Sequence, residues 1–494
     1  MVGCCIRELY EAILNPVLHI RSPNPRDFVS LRGRRRIWRE AVIAASIAAA
    51  AACRLPPPKP IVVYVPPSVM VDPDVPLFRT ARTVSGAKTF WQAMAALDTG
   101  FAAKHNVTAD QRAFSRALGF VLTGQQDEAE LALDSIGSTT TDTLVSSTSL
   151  VLLTAMLQYQ DKWKILSELT RGVKRESTSL DEVNKADVQS WAAAFKDVGP
   201  RLVSFPVKRV TVPLIISAAG TPMITVMVNG KPKVMWLDTG SSMSIVSSDV
   251  ARECGINAII SDTLEVATTT GHVPARPATI SRLQLGSIDI RNSTAMIVAS
   301  QLMQIRVGEG MNADKDIGID GVIGFDIISR LDLRIDYVNR RVTLLKPEQS
   351  PRAASSTGRN LFWVGAPIVR LVSDKGVTLH FNLDTGAQET YSTEGLVAKT
   401  KVKTFIGERR LIGGLAGLQV VHGRFIDEMA MSMAGQRLLF RKMLVYAPAV
   451  LTFVPLDGVL GSDVGKSGTV RIDATNGVFE LESDLHYDGL KIKG

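Results

Sequence analysis

The stretch VMWLDTGSSMSIVS, from Val234 to Ser247, contains the tetrapeptide LDTG, which occurs three times in this chain of 494 residues. A second copy begins at Leu383, in FNLDTGAQETYS. Each of these two copies follows an apolar strand, and a turn lies further back, at Asn229-Gly230 in one case and at Lys375-Gly376 in the other. The pattern predicts that each motif sits in a tight turn after a β-hairpin, from which a short Asp side chain can project into a cleft.

The remaining copy, Leu97 to Gly100, has different surroundings. It lies in FWQAMAALDTGFAAKH, an Ala-rich helical sequence with no preceding strand. Gly100 is predicted to end or loosen a helix there. Asp98 is therefore not a candidate for the chemistry of the other two copies.

The region after Pro200 contains an internal repeat. The motif aspartates, Asp238 and Asp384, are 146 residues apart. A second element, DGVIGFDIISRLDLRIDYVNRRVTL from Asp320, is answered 137 residues later by DGVLGSDVGKSGTVRIDATNGVFEL from Asp457. Two ordered motif pairs with nearly equal offsets predict two similar halves, divided by the polar stretch KPEQSPRAASSTGRN.

These motifs resemble those of the pepsin and retropepsin superfamily of aspartic proteases, over roughly residues 205 to 494. The resemblance implies a mainly β, bilobal, acid-protease-like double β-barrel. Its first lobe would span 205–346 and its second 361–494, with a linker at 347–360. In that family a hydrophobic-hydrophobic-Gly element crosses beside each Asp-Thr-Gly, and GVIG (321–324) and GVLG (458–461) fill that role here.

The resemblance implies a catalytic dyad of Asp238 and Asp384, one from each lobe, that activates water to hydrolyse a peptide or protein substrate without a cofactor. Two carboxylates at about 3 Å cannot both ionise easily, so they share one proton and provide base and acid together. Supporting roles follow for the neighbouring residues. The hydroxyls of Thr239 and Thr385 would lock the two loops together. Gly240 and Gly386 would let backbone N–H groups approach the carboxylates. The Ser241 hydroxyl could bond the outer oxygen of Asp238, and Ala387 stands at the matching position of the second lobe.

A flap should follow each motif as a β-hairpin over the substrate. The candidates are VATTTGHVPARPA around Gly271 and ERRLIGGLAGLQV around Gly413 and Gly414. The first has no Tyr of the kind typical of the pepsin flap, which favours the retroviral branch. His272 at the tip either touches substrate or is a solvated loop histidine.

The alternative is a catalytically inactive protease fold that binds peptides. The second lobe is the weaker match, because AQETYST is more polar than SSMSIVS, where the family has apolar residues. Against this alternative, the like-charge cost of two adjacent aspartates is hard to justify unless the site works.

Residues 84–200 are predicted to form a small helical domain, since apolar residues recur at helical spacing on both sides of Gly124. The pair of helices around LTGQQDEAE resembles a tetratricopeptide-type repeat, although no clear 34-residue array follows. Packing or contact with a protein partner is the predicted use. The position of the domain ahead of the catalytic region also suggests an inhibitory pro-segment.

The first 53 residues join a basic run to the apolar stretch Ala41 to Cys53, followed by a Pro-rich linker over 54–83. This stretch of thirteen residues is short for a bilayer span but suits a secretory signal. We therefore expect export to a bacterial periplasm, with or without a membrane anchor, for which lipidation of Cys53 is one route. The alternative is an Ala-rich soluble helix ended by prolines.

Charge and cysteine content narrow the function further. The formal net charge is +8, but half of it lies in residues 1–53. No basic stripe with interleaved aromatics is present, so nucleic-acid binding is not predicted. The four cysteines and six scattered histidines show no ligand spacing, so no metal site is predicted, and Cys254 is expected to be buried and inert.

Overall fold

The computed structural model of the protein describes residues 63–65, 87–171, 181–260, 263–307, 315–348, 359–407, 409–415, 417–421, 423–433, 436–446, 454–466, 468–482, 486–487 and 490–493. The predicted signal segment, with Cys53, lies outside these residues. Among the helices that are described, none combines the length and apolar character needed to cross a bilayer.

The part of the chain ahead of residue 200 is helical. Its helices pack on their neighbours along the chain and are α1 (Ala87–Ala95), α2 (Phe101–Lys104), α3 (Ala109–Thr123), α4 (Gln126–Thr139), α5 (Thr143–Tyr159), α6 (Trp163–Thr170) and α7 (Asp181–Phe195). Local sequence fixes the α3–α4 pair. Thr108 and Gln111 form a capping box at the start of α3, and Gly124 ends it in the left-handed conformation. The pair of helices predicted around Gly124 is thus present, while its assignment to a named repeat remains a prediction.

The first lobe is built mainly of strands, with short helices between them. In chain order its elements are β2 (Leu202–Ser204), β3 (Arg209–Pro213), β4 (Ile215–Ile216), β5 (Pro222–Val228), β6 (Lys231–Leu237), β7 (Ile245–Ser247), α8 (Ser248–Cys254), β8 (Leu264–Thr268), β9 (Gly271–Leu285), β10 (Ile288–Val298), β11 (Gln304–Val307), β12 (Lys315–Gly318), β13 (Gly321–Ile323), α9 (Phe325–Ile328), β14 (Asp332–Asp336) and β15 (Arg341–Leu345). Strand β2 pairs with β10, so the lobe begins slightly ahead of residue 205.

The second lobe repeats this plan. Its elements are β16 (Leu361–Trp363), β17 (Pro367–Ser373), β18 (Thr378–Leu383), β19 (Tyr391–Ser392), α10 (Glu394–Thr400), β20 (Thr404–Ile406), β21 (Arg410–Gly414), β22 (Gly417–Val421), β23 (Arg424–Met433), β24 (Gln436–Val445), β25 (Gly458–Leu460), a 3-10 helix (Ser462–Gly465), β26 (Thr469–Asp473), β27 (Val478–Glu482), β28 (His486–Tyr487) and β29 (Leu490–Lys493). A short strand from the predicted linker, β1 (Val63–Val65), lies parallel to β22.

Each lobe closes on itself. In the first lobe the strands run β10–β7–β13–β6–β5–β9, and β9 pairs again with β10. In the second the order is β23–β17–β18–β25–β19–β24, and β24 pairs again with β23. Six strands therefore form a barrel in each half, and the predicted mainly β, bilobal double-barrel fold, preceded by a helical region, is confirmed.

A further sheet joins the two lobes. Its order is β27–β26–β14–β15–β3, and its central pair, β14 and β26, comes from the two copies of the Arg-Ile-Asp repeat. Arg334 lies opposite Arg471 in this pair. Arg471 forms a two-pronged ion pair with Asp332, with N–O distances of 2.9 and 3.0 Å. The repeated sequence thus supplies the strands that join the two lobes as well as strands inside each lobe.

Strand alternation divides the apolar side chains between two cores. In β6, Met235 and Leu237 point into the barrel core, whereas Trp236 points outward into a second core that the helices share. Val322 on the adjacent strand β13 and Ile245 on the next strand, β7, also belong to that second core. The helical region therefore packs on the outer face of the strands that carry the first LDTG motif. Cys254, at the end of α8, is buried as expected.

Candidate active site

The two LDTG loops meet at the junction of the barrels. Asp238 follows β6 and its backbone N–H donates to the Ile323 carbonyl at 3.0 Å, while Asp384 follows β18 and donates to the Leu460 carbonyl at 3.0 Å. Each acceptor lies in the hydrophobic-hydrophobic-Gly strand, which pairs in parallel with the strand leading into the motif. The repeated sequence elements therefore place both aspartates at equivalent strand ends.

The carboxyl groups of Asp238 and Asp384 hydrogen-bond to each other. Backbone N–H groups donate to both. Gly240 reaches Asp238 at 2.8 Å, Ser241 reaches it at 3.3 Å, and Ala387 reaches Asp384 at 2.9 Å. A direct bond between two carboxyl groups requires a proton between them, so the pair holds one proton when singly charged.

Burial raises the pKa of both carboxyl groups, and the two aspartates differ in what opposes it. For Asp238, the hydrogen bonds from Asp384 and from the Gly240 and Ser241 amides lower the pKa again. For Asp384, the charge of Asp238 adds to burial and holds the pKa well above its usual range. Two backbone amides, those of Gly240 and Ser241, donate to Asp238, whereas the Ala387 amide donates to Asp384, and this difference favours the charge on Asp238 and the shared proton on Asp384.

Thr239 and Thr385 connect the two loops by a symmetric set of hydrogen bonds. The Thr239 hydroxyl donates to the Leu383 carbonyl at 2.8 Å and accepts the Thr385 N–H at 3.0 Å. In return, the Thr385 hydroxyl donates to the Leu237 carbonyl at 2.6 Å and accepts the Thr239 N–H at 3.0 Å. Both threonines are buried. The four bonds fix each motif loop against the strand end of the opposite lobe.

The motif glycines are required by close approach. A Cβ on Gly240 would lie 2.5 to 2.7 Å from the carboxyl atoms of Asp384, and a Cβ on Gly386 would lie 2.5 to 2.6 Å from those of Asp238. Neither contact is sterically allowed. Each glycine therefore leaves room for the catalytic candidate of the other lobe.

Gly386→Ala is expected to displace the Asp238 carboxyl and lower kcat roughly 10- to 100-fold, because misplacing a reacting group by about 1 Å costs that order of rate. The matched control is Gly137→Ala, since a Cβ there meets no atom within 4 Å. Steady-state kinetics on both folded variants check this. Wild-type kcat in Gly386→Ala would contradict the packing argument.

Ser241 differs from its expected role. Its hydroxyl donates to the Met243 carbonyl at 2.7 Å, and it is the backbone amide of Ser241 that reaches Asp238. At the matching place in the other lobe, the amide of Ala387 also serves its carboxylate. Because the amide makes the contact in both lobes, a Ser in one and Ala in the other leave the carboxylate contacts equivalent.

A buried polar layer behind the motif loops escaped the sequence analysis. In the first lobe the Gly324 N–H donates to the Ser244 hydroxyl at 3.0 Å, and that hydroxyl donates to Asp326 at 2.8 Å. The second lobe repeats it through Thr390, which accepts from Gly461 at 3.0 Å and donates to Asp463 at 2.7 Å. Comparing the two repeats position by position would have found it, since GFD and GSD share their aspartate.

Both flap candidates form hairpins. Strands β8 and β9 pair across a turn at 269–270, and β21 pairs with β22 in the same antiparallel way. Gly271 opens β9, whereas Gly413 and Gly414 end β21. The tips meet, because a Cβ on Gly414 would lie 2.6 Å from the Thr270 hydroxyl. His272 is exposed, which agrees with the interpretation of that residue as a solvated histidine.

Helix α7 packs against both strands of the first flap, β8 and β9. Its buried Trp191 and Phe195 belong to the same apolar core as Val298 and Ala275 of the first lobe. The helical region thus supports the first flap hairpin from behind.

The more polar segment AQETYST of the second lobe places an aromatic side chain, that of Tyr391, beside the dyad. Tyr391 stands seven residues after Asp384, where Ile245 stands in the first lobe. Its ring packs edge-on to Tyr446 with centroids 5.5 Å apart. Burial, and then the charge of Asp384, hold the pKa of Tyr391 well above its usual range, so the phenol stays protonated.

The third LDTG copy lies apart from this site. Asp98 is exposed in the turn between α1 and α2, where its carboxylate accepts the Gly100 N–H at 3.1 Å. Gly100 precedes α2 rather than ending α1. Among the described residues, no group of three or more His, Cys, Asp or Glu side chains is arranged to hold a metal ion.

Comparison with known proteins points to the same region of the chain. Residues 224–330 match the family model of the "gag-polyprotein putative aspartyl protease". This segment contains Asp238, the first flap and GVIG. Comparison with curated proteins gives no match.

Similarity to solved structures is distant. A retropepsin-like aspartic protease from Rickettsia conorii is 17% identical, with 29% of this chain and 92% of that chain covered and a TM-score of 0.19. An aspartic proteinase from Irpex lacteus is 13% identical, with 55% of this chain and 95% of that chain covered and a TM-score of 0.30.

Proposed function

We propose that this protein is an aspartic endopeptidase that hydrolyses peptide bonds with a water activated between Asp238 and Asp384. The observation that carries the proposal is the pair of partly buried, mutually hydrogen-bonded carboxyl groups, one from each barrel. A base and an acid at one point are what uncatalysed amide hydrolysis lacks. The family match of residues 224–330 supports the same chemistry.

The different environments of the two aspartates assign their roles. Asp238, whose charge the Gly240 and Ser241 amides stabilise, is the base that takes a proton from water. Asp384, whose pKa is raised further by the charge of Asp238, is the acid that protonates the carbonyl oxygen and later the leaving nitrogen. The tips of the two flap hairpins meet each other, and in this proposal they part to admit an extended peptide.

The activity should follow a bell-shaped pH profile. Turnover falls at low pH as Asp238 gains a proton, and at higher pH as Asp384 loses its own. Because the pKa of Asp384 is raised well above 3.8, the alkaline limb should lie well above that value. The measurement is kcat/KM on an unfolded protein substrate between about pH 3 and 7. A rate that keeps rising through pH 7 would contradict this assignment.

The same pKa shift predicts a stability effect that needs no turnover. The unfolded chain loses the Asp384 proton near pH 3.8, while the folded protein keeps it to higher pH. Stability from this group is therefore present below pH 3.8 and lost as pH rises through the folded-state pKa. Asp384→Asn should remove that part of the pH dependence in urea unfolding.

Cleavage of a peptide library, with inhibition by a statine-type transition-state mimic, tests the proposal directly. Absence of turnover at every pH, together with retained peptide binding, would favour the peptide-binding alternative instead. We also propose that the chain acts after export to a bacterial periplasm. Fractionation of cells that express the full chain would test this location.

A further inference from the structure

Arg201 joins the helical region to the first lobe from a buried position. It directly precedes β2, and its side chain is only 3% exposed. One guanidinium nitrogen donates to the Asp326 backbone carbonyl at 2.5 Å. The other lies 2.8 Å from the Asp326 carboxylate, 3.0 Å from the Thr294 hydroxyl and 3.1 Å from the carboxylate of Asp161.

Asp326 also forms hydrogen bonds on its other side, towards the active-site loop. Its second carboxylate oxygen accepts the Ser244 hydroxyl at 2.8 Å, and that hydroxyl accepts the Gly324 N–H at 3.0 Å. The adjacent residue, Phe325, donates its N–H to the Ser241 carbonyl at 2.7 Å. Ser241 is the residue whose own amide donates to Asp238. A short series of buried hydrogen bonds therefore connects Arg201 with the loop that positions the base.

The second lobe has the same layer without such a cation from outside the lobe. Thr390 and Asp463 repeat the bonds of Ser244 and Asp326. Among the residues that the structure describes, Asp463 has no ion pair within 4.0 Å, and burial raises its pKa. Burial raises the pKa of Asp326 as well, but in the first lobe the guanidinium of Arg201, in direct contact with the carboxylate, opposes that rise.

The helical region completes the surroundings of Arg201. Asp161 follows α5, and its carboxylate lies 3.6 Å from the guanidinium of Arg330. Arg330 also donates to the Tyr159 carbonyl at 2.8 Å. The Tyr159 ring stacks on Trp363 of the second lobe with centroids 4.5 Å apart. The end of α5 is therefore fixed against both lobes beside Arg201.

We infer that Arg201 is a positioning residue for Asp238, acting through Asp326 and Ser244. The helical region, through the contact of Asp161 with Arg201, contributes to this positioning. The inference rests on the proposed function. Without the guanidinium, the Asp326 carboxylate is a buried charge with no cation beside it. This state is unfavourable, so the carboxylate takes up a proton or moves. Either response loosens the Ser241–Ser244 loop.

The test compares Arg201→Met with Arg201→Lys, Asp161→Asn and the double variant Arg201→Met/Asp326→Asn. Arg201→Met should lower kcat roughly 10- to 100-fold with little change in KM, since it displaces a reacting group. Lysine should recover part of this, because one ammonium cannot reproduce the planar contacts of the guanidinium. Asp161→Asn should cause a smaller loss of the same kind, because it removes one partner of the guanidinium and leaves the others. The double variant should recover most of the activity, because an amide oxygen at position 326 still accepts from Ser244 and no charge is left unpaired.

A control and a second readout make the outcome decisive. Arg424→Met removes another partly buried ion pair, with Glu394 at 2.6 Å, in the second lobe, and should leave kcat unchanged. Carboxyl ¹³C NMR titration of aspartate-labelled protein follows the dyad without turnover. In Arg201→Met the raised pKa of the dyad should fall towards the usual range as water reaches the loosened loop.

Wild-type kcat and an unchanged dyad titration in folded Arg201→Met would overturn the inference, as would an equal loss in Arg424→Met or no recovery in the double variant. If the wild-type protein shows no turnover, the proposed function fails. The dyad titration then decides the role of Arg201 by itself.

Discussion

Asp238→Asn and Asp384→Asn are each expected to lower kcat by about 10²- to 10⁴-fold, the range that a positioned general acid or base contributes. An amide at 238 cannot take a proton from water, and an amide at 384 cannot protonate the substrate. Both changes keep the shape of the side chain, so the hydrogen bonds from the loop amides to Oδ1 can persist. The loss should therefore appear in kcat, with KM changed much less.

The double variant Asp238→Asn/Asp384→Asn should be hardly slower than either single variant, because the two groups act as one unit and removing either already disables it. Asp98→Asn is the matched control, since it alters the same tetrapeptide where the carboxylate is exposed and contacts only its own turn. That variant should keep wild-type kcat. Equal activity in the wild type and both dyad variants would refute the assignment of the dyad.

Much of this fold could be predicted because its signals are local and occur twice. The Asn229-Gly230 dipeptide predicts a tight turn, and the structure has both residues at positive φ, 46° and 83°, between β5 and β6. The repeat of Asp-Gly-Val-aliphatic-Gly predicts a strand beside each motif, and β13 and β25 are those strands. Two copies of each signal made the bilobal arrangement predictable.

The contacts that distinguish the lobes could not be predicted in this way. Arg201 and Asp326 are 125 residues apart, and no spacing in the sequence links them. The Ser241 hydroxyl donates to the Met243 carbonyl, because this backbone acceptor is close by and the Ser241 amide already donates to Asp238. Such choices depend on which groups the tertiary fold leaves without partners.

Thr239→Val is expected to lower the free energy of unfolding by about 2 to 6 kcal/mol. Valine keeps the branched shape but removes a hydroxyl that serves two buried backbone groups, the Leu383 carbonyl and the Thr385 N–H. Each buried polar group left without a partner costs about 1 to 3 kcal/mol. Since whole domains are stable by only about 5 to 15 kcal/mol, the loss is a large part of the total.

Thr385→Val should have the same effect for the symmetric reason, because it leaves the Leu237 carbonyl and the Thr239 N–H without partners. Thr211→Val is the control, since its hydroxyl makes an exposed 3.4 Å contact with Thr343 and should change stability by less than about 0.5 kcal/mol. Urea unfolding at one pH measures all three variants. If the two motif variants were no less stable than the control, the loops would be held by barrel packing alone, and the spacing of the dyad would not depend on these four bonds.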